Sequence, residues 1–168
     1  QPISTLVGCS SQDTIQVVEN DVFYLGKKGV YSVGYEQNFL NLIRTNEISA
    51  RIRPYLSRLS GNDYKNACAM YVNNKYILSF PDRKEMVVYD RERGCWLGPW
   101  ILPFGVSFMK KYTDSTNTEK WLLGSADSNR VYSFEESVKS DNGVTINKTL
   151  RTKKEYFGSW SVLKIIKY

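Results

Sequence analysis

Side-chain catalysis needs groups that trade protons near neutral pH or that carry a nucleophile, and this chain has few of either. Histidine is absent. That removes the commonest general base, the serine and cysteine triads built on it, and the usual zinc ligand sets. The three cysteines, Cys9, Cys68 and Cys95, are too few and too odd in number for a disulfide framework, and no two stand at metal-ligand spacing. Free thiols in a reducing compartment are expected. Carboxylate chemistry needs two acids facing one another, and Asp82, Glu85, Asp90 and Glu92 are grouped. Asp90 and Glu92, however, flank a turn, where acidic side chains commonly bond their own backbone. Asp127-Ser128-Asn129 lacks the spaced oxygen donors and closing glutamate of a calcium loop and reads as a turn. Gly26 and Gly29 lie between strands and precede no helix, as a phosphate-cradling loop requires. Asn147-Lys148-Thr149 fits the glycosylation sequon, which matters only in a secretory setting. The expectation is a protein without catalysis, cofactor, metal or small-molecule substrate.

What remains is surface chemistry. Arg51, Arg53 and Arg58, with Arg44 nearby, give one segment a cationic surface, and the plainer reading is a solvated face opposite an apolar stripe. Lys148, Arg151, Lys153 and Lys154, followed by Lys164 and Lys167 with Tyr156, Phe157 and Trp160 among them, form the second candidate interaction surface. Nucleic-acid binding needs cations gathered on one face with aromatics free to stack. Strand alternation separates Lys153 from Lys154, and lysines on an outer strand also serve to discourage edge pairing.

These residues must be positioned by β structure. Ala67 to Trp100 holds four short strand signals: Ala67 to Val72, Lys75 to Phe80, Glu85 to Tyr89 and Cys95 to Trp100. Asn73-Asn74 tolerates the positive φ of a two-residue hairpin, Pro81 cannot donate to a ladder, and Asp90 to Gly94 makes a turn. A four-stranded antiparallel meander of this kind is the unit that β-propellers repeat. Before it, Ile15 to Glu19, Val22 to Leu25 and Val30 to Val33 read as three strands with Gly34 as a stop, after a connecting segment with a short strand at Ile3 to Val7. After it come Val106 to Tyr112, Lys120 to Ser125 and Arg130 to Phe134, then a turn cluster from Ser137 to Gly143 and an outer strand within Val144 to Lys154. Only Asn46 to Leu59 changes period, with Ile48, Ile52, Leu56 and Leu59 on one face. It predicts a short helical insertion at about 47–59, capped by Asn46 or Ser49; Pro54 is best tolerated near a first turn, so the helix is expected to start late or to be two short pieces.

The 168 residues match one domain by length. Hydrophobic content of 42%, charge content of 24% and 14% aromatic residues describe a folded chain inclined to β structure. A net charge of +6 and a pI near 9.2 bear on association, not on fold. No run is long and apolar enough for a membrane-spanning helix. The start at Gln1 and the stop at Tyr168 inside a strand-like run lead to the expectation that residues 1–168 are one propeller-like region of a longer chain. The predicted class is all-β: a propeller, or a propeller arc, of three to four antiparallel four-stranded blades. One pattern recurs, with Val-Tyr after a tight turn at Gly29-Val30-Tyr31, Val87-Val88-Tyr89 and Arg130-Val131-Tyr132.

Several segments together carry a resemblance: Asp21 to Tyr31 (DVFYLGKKGVY), Ile48 to Leu56 (ISARIRPYL), Asn66 to Pro81 (NACAMYVNNKYILSFP), Val87 to Asp90 with Gly94 to Trp96, and Leu150 to Gly158 (LRTKKEYFG). In this order the chain resembles the β-propeller structural proteins of tailed bacteriophages and prophages, often called tail or stabilisation proteins. The resemblance implies a virion component of the tail or head-to-tail connection, assembled in the host cytoplasm. It implies contact with other virion proteins as a homo- or hetero-oligomer, near DNA without specific nucleic-acid binding. Two alternatives stand beside it: a receptor- or glycan-binding propeller at a tail tip, using Trp96, Trp100 and Trp121 to stack on sugars, and a cellular kelch-like or WD-like adaptor.

Overall fold

The computed structural model describes residues 8–36, 42–134 and 140–146. They are mostly β. A 3₁₀ turn at Gln12–Thr14 leads into β1 (Gln16–Val18), β2 (Asp21–Gly26), β3 (Gly29–Glu36) and β4 (Leu42–Glu47), a first sheet in chain order with every neighbour antiparallel. A helical segment follows, with a 3₁₀ turn at Ala50–Ile52, α1 (Arg53–Leu56) and α2 (Gly61–Asn66). The second sheet is β5 (Cys68–Val72), β6 (Lys75–Phe80), β7 (Glu85–Asp90) and β8 (Cys95–Ile101), again consecutive and antiparallel. The third is β9 (Val106–Thr113), β10 (Glu119–Ser125) and β11 (Val131–Phe134), and a small hairpin pairs β12 (Ser140–Asp141) with β13 (Val144–Thr145).

Turn chemistry explains the hairpins. Asn73 and Asn74 both take positive φ, 47° and 58°, the conformation that suits a two-residue hairpin between β5 and β6. In the β7–β8 turn the Asp90 carboxylate accepts the Arg93 amide at 3.0 Å and the Arg93 guanidinium at 2.7 Å. The predicted all-β class holds, as do the strands of the second and third sheets to within a residue or so.

Packing explains why the second sheet reads as nearly continuous apolar sequence. Side chains alternate across a strand, and both faces of this sheet are covered. Ala67, Ala69, Tyr76, Leu78, Phe80 and Val87 join Val18, Phe23, Leu25 and Val30 of the first sheet in one buried cluster. Cys68, Met70, Val72, Ile77, Met86 and Val88 join Val106, Met109 and Leu123 of the third sheet in another. The first strands of the three sheets lie side by side, with β5 between β1 and β9. Polar side chains stitch that line: Gln16 Nε2 donates to the Ala69 carbonyl at 2.8 Å, and Ser79 Oγ to the Val106 carbonyl at 2.8 Å.

Three expectations change. The first meander has four strands, because β3 runs through Gly34 and pairs with β4 from Tyr31 to Glu36. Gly34 is no stop; it makes room for the Asp21 carboxylate, which a Cβ there would strike. The bound of about 47 for the helical insertion moves to Ala50, since Asn46 and Glu47 still belong to β4, whereas the late start and short pieces expected from Pro54 are found, with Pro54 in the first turn of α1. Its apolar stripe does reach the core: Leu56 is buried, and Ile48, Ile52 and Leu59 pack against the first cluster. Ser49 caps nothing; its hydroxyl accepts the Val30 amide at 2.9 Å. Third, α2 was not anticipated, although Ser60 and Asp63 form a capping box, with Asp63 N to Ser60 Oγ at 3.2 Å and Ser60 N to Asp63 Oδ2 at 2.6 Å. The expected strand at Ile3 to Val7, and everything beyond Ile146 in the expected outer strand, lie outside the described residues.

Candidate interaction surface

The arginines expected to act together are divided. Arg53 donates its Nε to Glu47 Oε1 at 2.8 Å and closes a second contact to Oε2, so its charge is met within the fold. The Arg53 hydrogen bond in turn holds the Glu47 carboxyl below its ordinary range. Arg51 and Arg58 are exposed and form no ion pair among the described residues. Lys148, Arg151, Lys153 and Lys154 lie outside the described residues.

The grouped carboxylates are also dispersed. Asp82 accepts Asn66 Nδ2 at 3.1 Å, and Glu85 accepts the Tyr55 hydroxyl at 2.8 Å. Asp90 lies at the far end of β7 from Glu85 and serves its own turn, where hydrogen bonds from the Arg93 amide and guanidinium lower its pKa. Asp127 accepts the Gly105 amide at 3.0 Å and Lys84 Nζ at 2.9 Å, and these contacts keep its carboxyl below the usual range. The acids therefore act as braces. Cys68 is buried and desolvation pushes its thiol up to about 12, the opposite of an activated nucleophile. Among the described residues no group of three histidine, cysteine or acidic side chains is placed to hold a metal ion.

The tryptophans divide as well. Trp96 donates its indole N–H to the Ile48 carbonyl at 2.8 Å and packs its ring 5.2 Å from that of Tyr89. Trp121 packs on the second cluster with Lys111 Nζ 5.5 Å from its ring centre. Trp100, on the outer edge strand of the second sheet, is 37% exposed. Where β1, β5 and β9 converge there is an open cleft of about 300 Å³, lined in part by Gln12, Asp13, Gln16, Ser107 and Phe108.

The surface that sequence reasoning missed lies on the two end sheets. In the third sheet Phe108 pairs through Gly124 with Val131, so these side chains share the face turned away from the second sheet. Phe108 is 53% exposed, Tyr112, four residues further along the strand on the same alternation, 51%, and Val131 67%. In the first sheet Val17, Val22 and Val33 share the face turned away from the second sheet, with Ile15 and Ile43 flanking, and Val17 is 69% exposed. The signal was present: both alternations of these strands carry apolar residues, as in the second sheet. Scattered exposed apolar residues are ordinary, and on the third sheet the exposed Lys110 stands between Phe108 and Tyr112 on the same face, with Lys120 opposite Tyr112.

The recurring Val-Tyr pairs sharpen the point. Each pair lies in the third strand of its sheet, at Val30-Tyr31 in β3, Val88-Tyr89 in β7 and Val131-Tyr132 in β11. Val30 faces the second sheet and Val88 the third, while Tyr89 packs back on the first cluster and Tyr132 on the second. Valine therefore looks forward along the stack and tyrosine looks back. By the same alternation Tyr31 and Val131 stand on the two outer faces, where Tyr31 is buried against Tyr24 and Val131 is exposed. Comparison of the chain with models of known protein families, with curated proteins and with solved structures returned no match.

Proposed function

We propose that this protein is a non-enzymatic scaffold of a tailed-phage virion, a component of the tail or of the head-to-tail connection that acts through the shape of a propeller arc. The single observation that carries the reading is the Val-Tyr pair repeated in the third strand of each stacked sheet with one orientation throughout. A repeated sheet whose two faces are apolar cannot be stable alone, and radial stacking around adjoining first strands is the arrangement that propellers use. In this reading each sheet is a blade, β1, β5 and β9 border the hub, and rigid faces present a fixed outline to neighbouring virion proteins. The resemblance of the Asp21, Asn66 and Val87 segments to phage tail proteins supplies the virion setting. The braced acids and the buried Cys68 thiol fit a molecule whose charged groups serve the fold.

Mass spectrometry of purified particles of the phage encoding this chain tests the proposal. The chain is expected in stoichiometric, not trace, amount and in the tail fraction. Absence from particles, or turnover of a glycan library by the purified protein, would overturn it. The receptor-binding reading is weakened by the internal contacts of Trp96 and Trp121, which leave Trp100 as the more exposed of the three candidate rings.

A further inference from the structure

The third sheet carries on its outer face the kind of residue that the first two carry on their forward faces. Val131 occupies in β11 the place that Val30 and Val88 occupy in β3 and β7, yet it is 67% exposed where Val30 and Val88 are 0%. At the other end the backward face of the first sheet exposes Val17 at 69%, with Ile15 and Ile43 at 44% and 49%, while Tyr31, the counterpart of Tyr89 and Tyr132, is already buried in a stack with Tyr24. One molecule thus shows two unlike ends with exposed apolar residues, and the bare Val131 end continues the pattern of the interfaces already formed inside it. Surfaces of that sort join head to tail, and head-to-tail contacts make a closed ring when the rotation per subunit completes a circle.

We infer that the outer face of the third sheet docks on the outer face of the first sheet of a second copy of this chain. Two copies with three stacked sheets each make a ring of six, within the four to eight blades that propellers close with. Closure covers Phe108, Tyr112 and Val131 of one copy with Ile15, Val17 and Ile43 of the other, twice. The inference deepens the scaffold proposal by naming a partner; a failure of pairing leaves the virion test untouched, because that test reads particle composition.

Sedimentation equilibrium of the whole chain between about 1 and 100 µM, the range in which a moderate interface populates a dimer, is expected to give twice the 19.4 kDa chain mass. Phe108→Lys and Val17→Lys alter opposite ends, so each alone is expected to yield a monomer. Both side chains are exposed, and circular dichroism with a urea midpoint checks that each variant stays folded. An equimolar mixture of the two variants is expected to regain a dimer, since one of its two junctions is then unaltered. A wild-type monomer across the range overturns the inference. So does a Val17→Lys variant that still dimerises, which would mean that third sheets meet like with like, or a monomer that copurifies with nucleic acid on its Lys110 and Tyr112 face.

Discussion

At the scale of single residues the molecule uses polar groups as fasteners. Tyr76 is fully buried and donates its hydroxyl to the Thr14 carbonyl at 2.8 Å, joining β6 of the second sheet to the 3₁₀ turn before the first. Trp96 does the same from β8 to Ile48. Because the Trp96 ring is only half-buried, Trp96→Ala is expected to cost about 2 to 3 kcal/mol, below the 3–5 of a fully buried tryptophan. Trp96→Phe keeps most of the contact and should cost about 1 kcal/mol for the lost hydrogen bond. Urea unfolding of the two variants measures both. Acid acts on the braces: Glu47, Asp90 and Asp127 all have pKa values lowered in the fold by hydrogen bonds to partners. A group that binds its proton less readily when folded contributes stability that is complete above its unfolded pKa, about 4, and is lost as pH falls through the folded value. The urea midpoint is therefore expected to hold from pH 7 to about 5 and to drop below about 4, with Asp90→Asn showing a lower midpoint at pH 7 and a shallower drop.

At the scale of elements, short pieces depend on their ends. The six residues of α2 have too few internal bonds to persist by propensity. Its capping box and the Tyr64 hydroxyl, which donates to the Leu56 carbonyl at 3.1 Å, hold it in place. Ser60→Ala is expected to lower stability by about 1 kcal/mol, read as a shifted urea midpoint, and Ser60→Asp, which keeps an acceptor at the cap, should retain most of it. The linker into the third sheet is as exacting, since a Cβ at Gly105 would strike the Pro81 carbonyl.

At the scale of the whole molecule the second sheet is the keel. Both its faces are covered, and its strands hold Tyr76, Leu78, Phe80 and Val88 at full burial. Amides of β5, β6 and β7 are expected to exchange with solvent most slowly, and those of β11 and the β12–β13 hairpin fastest, because local opening is cheapest where little apolar surface is covered. Hydrogen exchange followed by mass spectrometry checks that order; uniform protection across the three sheets would contradict it. Of the surface that matters here, the candidate cations were legible as charges but not as a site, because the Arg53 pairing with Glu47 depends on where β4 ends. The exposed apolar residues of the end sheets were legible only as apolar alternation, which looks the same whether a face is covered or bare.

Period-2 apolar runs, asparagine pairs at turns and the absence of histidine were enough by themselves to determine a β-rich chain of consecutive hairpins without the usual acid-base machinery. These properties are local: each depends on a few neighbouring residues and on backbone sterics. Tertiary structure alone decided that β4 completes the first sheet, that Gly34 yields to Asp21, and that the second sheet is covered on both faces while, among the described residues, the first and third keep exposed apolar side chains such as Val17 and Phe108 on one face. Those outcomes rest on which surfaces meet across dozens of residues. A strand's alternation names its two faces but not what, if anything, comes to lie against them.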